Sequence, residues 1–186
     1  MLDSIDVTLT SGGCFPLSQT VELANLSSMI GNILGGALAH HSNGIFRRNA
    51  PHKYPDLLSN DLNYPNIEIK IALENNKPKG HLAKPGWYMT CRYVLCDKSG
   101  AFTLGKEARG TRPYFWEIRY GFLDLEHFSI SNTAGDSGKT AVVNASGMKA
   151  LKVIYHDMER APFSKKGRAF MNYPEQSIQI NGRAAL

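Results

Sequence analysis

The most regular alternation in the chain lies at residues 66–73. Ile67, Ile69 and Ile71 alternate with Glu68 and Lys70, the period-2 signature of a strand with one apolar face. Residues i and i+2 of a strand point to the same side, so Glu68 and Lys70 project together, opposite the isoleucines. Upstream the period changes. Val21, Ala24, Ser28, Ile30, Ile33, Leu34, Ala37 and Leu38 recur mostly at spacings of three and four, which predicts a helix over residues 21–39 with Ser18 as its N-cap. Gly31, Gly35 and Gly36 each cost this helix about 1 kcal/mol of intrinsic propensity relative to alanine. Packing must therefore hold it, and the glycines allow close approach to a sheet.

Shorter strand patterns lie at residues 44–48 and 54–58, the latter containing Pro55 and so expected at an edge or a strand start. Residues 87–96 (WYMTCRYVLC) read as a buried strand, and 115–125 and 152–156 as further strands. Residues 140–145 read as a short strand or the lead into a helix, and 177–180 as a final strand. Residues 77–86, 97–112 and 132–138 read as loops. The order of elements predicts one mixed α/β domain with a central sheet.

The length of 186 residues suits a single domain, and 42% hydrophobic residues are enough for a core. Charge refines the picture. Residues 1–39 carry a net charge of −3, residues 40–112 +6 and residues 113–186 +2. The positive charge gathers in the middle third, which suits a polyanionic partner as well as a solvated cationic surface. Residues 1–10 hold Asp3 and Asp6 and no basic residue, so no secretory signal is expected. Residues 29–39 are the longest apolar stretch and are too short to span a bilayer. Cys14, Cys91 and Cys96 have no zinc-type spacing. Free thiols in a reducing cytoplasm are expected.

The same middle third holds the candidate chemistry. Pro55-Asp56 is followed, after eleven residues, by Glu68-Ile69-Lys70. If the two strands are neighbours, Asp56 comes close to Glu68, and two carboxylates that share a site call for a cation between them. Hard oxygen ligands with room for water suit Mg²⁺, and a lysine alongside suits phosphoryl chemistry. Lys77, Lys79, His81 and Lys84, in the loop that follows, are placed to track a phosphate backbone. Arg92, on the Tyr88 face of its strand, is expected to line the cleft. Arg109 and Arg112 are basic-segment candidates for the same partner. The opposing interpretation keeps Glu68 and Lys70 as a surface pair and Asp56 as a turn residue. Residues 135–140 (GDSGKT) fall short of a phosphate loop because Thr133 stands where a glycine is required.

Helix, strand, strand with Pro55-Asp56, strand with Glu68-Ile69-Lys70, then a connection and another strand: this order resembles the PD-(D/E)XK nuclease superfamily, which includes many type II restriction endonucleases. The resemblance covers residues 18–96. It implies a restriction-endonuclease-like α/β core, with a mixed central β-sheet flanked by helices. It also implies metal binding by Asp56 and Glu68, catalytic assistance by Lys70, and Glu22 in the first helix as a further ligand. The expected function is Mg²⁺-dependent hydrolysis of double-stranded DNA, with the C-terminal half serving recognition and dimerisation. Cutting both strands at a symmetric site asks for a homodimer. A non-catalytic nucleic-acid-binding protein and a repair, recombination or mobile-element nuclease remain the alternatives.

Overall fold

The computed structural model of the chain describes residues 2–131, 140–169 and Tyr173. Its described helices are α1 (Leu2–Ser11), α2 (Leu17–Thr20), α3 (Leu23–His41), α4 (Ala145–Ala150) and α5 (Lys165–Ala169). The strands are β1 (Phe46–Arg48), β2 (Leu57–Ser59), β3 (Ile67–Leu73), β4 (Lys79–Gly80), β5 (Gly86–Cys96), β6 (Arg112–Leu123), β7 (Phe128–Ser131), β8 (Thr140–Val143) and β9 (Lys152–His156). Six of them form a mixed sheet in the order β1-β2-β3-β5-β6-β9, and three form a small sheet in the order β4-β8-β7. β1, β2 and β3 are an antiparallel meander, β5 lies parallel to β3, and β6 and β9 continue antiparallel.

The isoleucine face of β3 carries the helical layer. Leu26, Ile30 and Leu34 of α3 are buried against it at i, i+4 and i+8, the spacing of one helical stripe. The glycines permit the contact: a Cβ on Gly31 would lie 3.1 Å from Ile71, and one on Gly35 3.3 Å from Ile69. Leu2 and Leu17, from α1 and α2, join the same cluster as Leu26, Tyr93 and Leu95. Burying one leucine of this kind contributes about 1.5–3 kcal/mol.

The second face of the sheet is covered as well. Tyr88 and Leu123 pack with Val143 of the small sheet and with Leu151, while Val94, Cys96 and Trp116 pack with Ala161. This double cover explains one departure from the sequence pattern. Glu68 stands on the polar side of an alternating strand yet is only 8% exposed, because β3 is central and parallel to β5, and such strands are covered on both faces.

Several boundaries shift. α3 starts at Leu23 with Glu22 at its N-cap position and without a side-chain capping bond. Ser18 belongs to α2 instead, and its hydroxyl is buried without a hydrogen-bond partner among the described residues. α1 lies outside the predicted elements: it buries Leu2 and packs Ile5 and Leu9 on the same cluster, a stripe of only three positions at i, i+3 and i+7. β6 begins at Arg112, inside the expected loop, because it pairs with β5 as far as Cys96. Residues 140–143 form the strand and 145–150 the helix of a region that the sequence leaves open. Residues 132–139, which include most of the phosphate-loop-like segment, and the expected strand at 177–180 lie outside the described residues. The three cysteines are free thiols. Among the described residues no helix is long and apolar enough to cross a membrane.

Candidate active site

Register brings the two acids together. β2 pairs with β3 through Leu57 opposite Ile67, so in an antiparallel ladder the preceding Asp56 falls opposite Glu68. The Asp56 segment is held from outside: Asn49 donates its backbone N–H to the Asp56 carbonyl (3.0 Å) and its side-chain amide to the Pro55 carbonyl (2.9 Å). The Asp56 backbone N–H donates to Glu68 Oε2 at 3.2 Å, and Asp56 Oδ2 accepts from the Ile69 backbone N–H at 2.8 Å. Lys70 Nζ donates to Glu68 Oε1 at 2.5 Å. Asp56, Glu68 and Lys70 therefore form one bonded cluster on the second face of the sheet.

The electrostatics of the cluster are unbalanced. Burial pushes the Glu68 carboxyl above the usual glutamate range. The charge and hydrogen bond of Lys70 pull against that shift, and the Asp56 carboxylate adds to it. The balance stays upward because burial, helped by the Asp56 charge, outweighs the single lysine. Such a group favours a proton or a further cation.

The walls come from residues that the motif does not contain. Tyr88 is the neighbour of Glu68 on β5 and is fully buried; its hydroxyl donates to the Lys84 carbonyl at 2.8 Å. Tyr54 donates to the Pro85 carbonyl at 3.2 Å, and Lys84 Nζ lies 4.5 Å above the Tyr54 ring. Burial pushes both phenols above their usual range. Gly80 is the least expected member. A Cβ there would lie 2.7 Å from Lys70 Nζ and 2.8 Å from its Cε, so glycine in β4 leaves the space that the lysine occupies. Tyr54 is adjacent to Pro55 and Asp56 in sequence, which is the one signal that points to it. Nothing in the sequence pairs Gly80 with Lys70.

The remaining candidates divide. Lys77, Lys79 and His81 are exposed around β4, beside Lys70, and Lys84 is half-buried over Tyr54. Arg92 does not line an open cleft: it is 9% exposed, bonds Glu117 at 2.5–2.6 Å and stacks over Trp116. Arg109 pairs with Glu74 at 2.6 Å, and Arg112 lies 3.8 Å from Asp3 and donates to the Lys98 carbonyl. Both arginines sit at the far end of β3 and β5, about 20–26 Å along the strands from Glu68 at the usual rise per residue. Glu22 is exposed at the start of α3, on the isoleucine side of the sheet, so it does not join Asp56 and Glu68.

Among the described residues no group of three or more His, Cys, Asp and Glu side chains is arranged to hold a metal ion. The two facing carboxylates nevertheless suit Mg²⁺, which is commonly held by one or two carboxylates together with waters and substrate phosphates. The chain matches no family model, no curated protein and no solved structure.

Proposed function

We propose that the chain is a Mg²⁺-dependent endonuclease of the PD-(D/E)XK kind that hydrolyses phosphodiester bonds of double-stranded DNA, acting in the manner of a type II restriction enzyme as a homodimer. The observation that carries this reading is the opposition of Asp56 and Glu68 across β2 and β3, with Lys70 bonded to Glu68 at 2.5 Å. The order of α3, the β1-β2-β3 meander and a parallel β5 supports it. So does the basic arm of Lys77, Lys79, His81 and Lys84 beside the cluster.

In this reading Asp56 and Glu68 hold the ion through their free lone pairs. When held there, Mg²⁺ would supply positive charge against the developing phosphoryl oxygens and would lower the pKa of water. Lys70 is confined between Glu68 and the space left by Gly80, and it donates to the attacking water or to a phosphoryl oxygen. Its position is set before substrate arrives, so little reorganisation accompanies the reaction. The basic arm binds phosphate without reading sequence, and this affinity falls with salt.

Incubating mixed-sequence plasmid with the purified chain in Mg²⁺ and in EDTA tests the reading. Cutting is expected in Mg²⁺ only. Asp56→Asn, Glu68→Gln and Lys70→Ala are each expected to lower it by about a thousandfold or more while DNA binding persists, a loss in the range of removing one preorganised catalytic donor or more. Wild-type cutting by Glu68→Gln and Lys70→Ala would overturn it.

A further inference from the structure

Next to the carboxylate cluster lies an open cleft of about 250 Å³, lined by Tyr54, Pro55, Pro65, Asn66, Pro85 and Trp87. Pro55 adjoins Asp56 and Asn66 is two residues from Glu68, so the cleft lies at the same end of β3 and β5 as the proposed reaction centre, and Trp87, paired with Ile67, reaches it from the isoleucine side of the sheet. We propose that it takes one unstacked nucleobase of the DNA strand whose phosphate is held at Asp56 and Glu68. The proposal rests on the nuclease reading for its choice of a polynucleotide.

The shape and chemistry of the walls carry the assignment. Two aromatic rings and three prolines offer flat apolar surface, the kind that receives a base face. The volume lies below the roughly 300–1,000 Å³ of sites for drug-sized ligands, which suits one ring system rather than a larger group. Trp87 is 39% exposed although it is a large apolar side chain in a central strand. Its indole is fixed by stacking on Tyr120 (centroids 5.2 Å apart, 23° between planes) and by an edge contact with Phe122. A held, solvent-facing indole is preorganised for stacking.

The polar groups fit a nucleotide as well. Asn66 uses its Oδ1 to accept from the Ser59 backbone N–H at 2.8 Å, which orients its amide NH₂ as a donor toward an acceptor on a base edge. Lys84 Nζ, over the Tyr54 ring at 4.5 Å, brings a positive charge to the rim, where the adjoining phosphate would run. Gly86 lets Tyr54 close over the end of β5, since a Cβ there would lie 2.3 Å from the tyrosine hydroxyl.

The test uses the full chain in EDTA and two fluorescently labelled single-stranded DNA oligonucleotides of equal length and charge, one of mixed sequence and one abasic. Wild type is expected to bind the base-containing strand about tenfold to a hundredfold more tightly, the range of one stacked base. Binding should also quench tryptophan emission, because of the two tryptophans Trp87 is exposed and Trp116 is fully buried. Trp87→Ala should erase most of the preference, and Trp87→Phe should retain most of it. Equal wild-type affinity for the two strands would overturn the proposal, as would an undiminished preference in Trp87→Ala. The plasmid assay separates the two readings: base preference without Mg²⁺-dependent cutting removes the nuclease and keeps the base site, whereas cutting without base preference removes the base site alone.

Discussion

Two buried glutamates on the same face of the sheet meet opposite fates. Glu117, on β6, is fully buried and accepts from Arg92 at 2.6 Å and from Arg119 at 2.8 Å. The Tyr173 hydroxyl donates to it too. Burial pushes its carboxyl up, but the two guanidinium groups outweigh burial and hold it below the usual range. Glu68, on β3, has one lysine and faces a second carboxylate, and burial keeps it above that range. One acid is over-neutralised. The other is under-neutralised, and in the proposed reading a further cation makes up the difference. A buried charged cluster is thus not by itself a site; the sign of its imbalance separates a structural group from a chemically poised one.

The largest effect that tests this contrast is on stability. Glu117→Gln leaves the buried Arg92 and the partly buried Arg119 guanidinium groups short of their partner and is expected to cost about 3–5 kcal/mol. Glu68→Gln at neutral pH is expected to leave stability unchanged or to raise it slightly, because burial opposes the ionised carboxylate. The signs follow from linkage. The lowered folded pKa of Glu117 contributes stability that is present above its unfolded value and is lost as pH falls through the folded one. The raised folded pKa of Glu68 lowers stability as pH rises from its unfolded value through its higher folded one, a window above that of Glu117. Urea denaturation of both variants at neutral pH checks this; a loss of similar size in both would erase the distinction.

A smaller effect concerns the space around Lys70. Gly80→Ala places a methyl group against the flexible end of the lysine, so stability should change by about 1 kcal/mol or less. Cutting should fall by about tenfold to a hundredfold, because the ammonium is displaced from its position. Cutting at the wild-type rate would show that Lys70 does not depend on Gly80. The smallest effect is a displacement of the pH profile. Cutting needs Glu68 ionised, so the acid limb is expected above 4.5, the ordinary glutamate value. More Mg²⁺ should move that limb to lower pH by competing with the proton. An acid limb unresponsive to Mg²⁺ would separate Glu68 from metal binding.

What the sequence reveals follows the same division. The isoleucine alternation marks β3 and places Glu68 beside Lys70, because both statements depend only on local periodicity. The α3 stripe is legible for the same reason, and its glycines point to close packing that Ile69 and Ile71 supply. The opposition of Asp56 and Glu68 needs a strand register, and β2 is only three residues long, too short to declare one. The capture of Arg92 by Glu117 joins neighbouring strands across 25 positions of sequence, so Arg92 reads as available until the pairing of β5 with β6 is known. The fit of Gly80 to Lys70 arises in a two-residue strand held by β8, with no sequence pattern of its own.

The central claim is that Asp56 and Glu68 together lack one positive charge and take a divalent ion. Thermal unfolding of the full chain against increasing Mg²⁺ tests it most directly, since an ion bound only by the folded state raises Tm by mass action. The account predicts a rise in wild type that saturates with Mg²⁺ and is abolished in Asp56→Asn and in Glu68→Gln. An equal rise in all three proteins, or none in wild type, would contradict it.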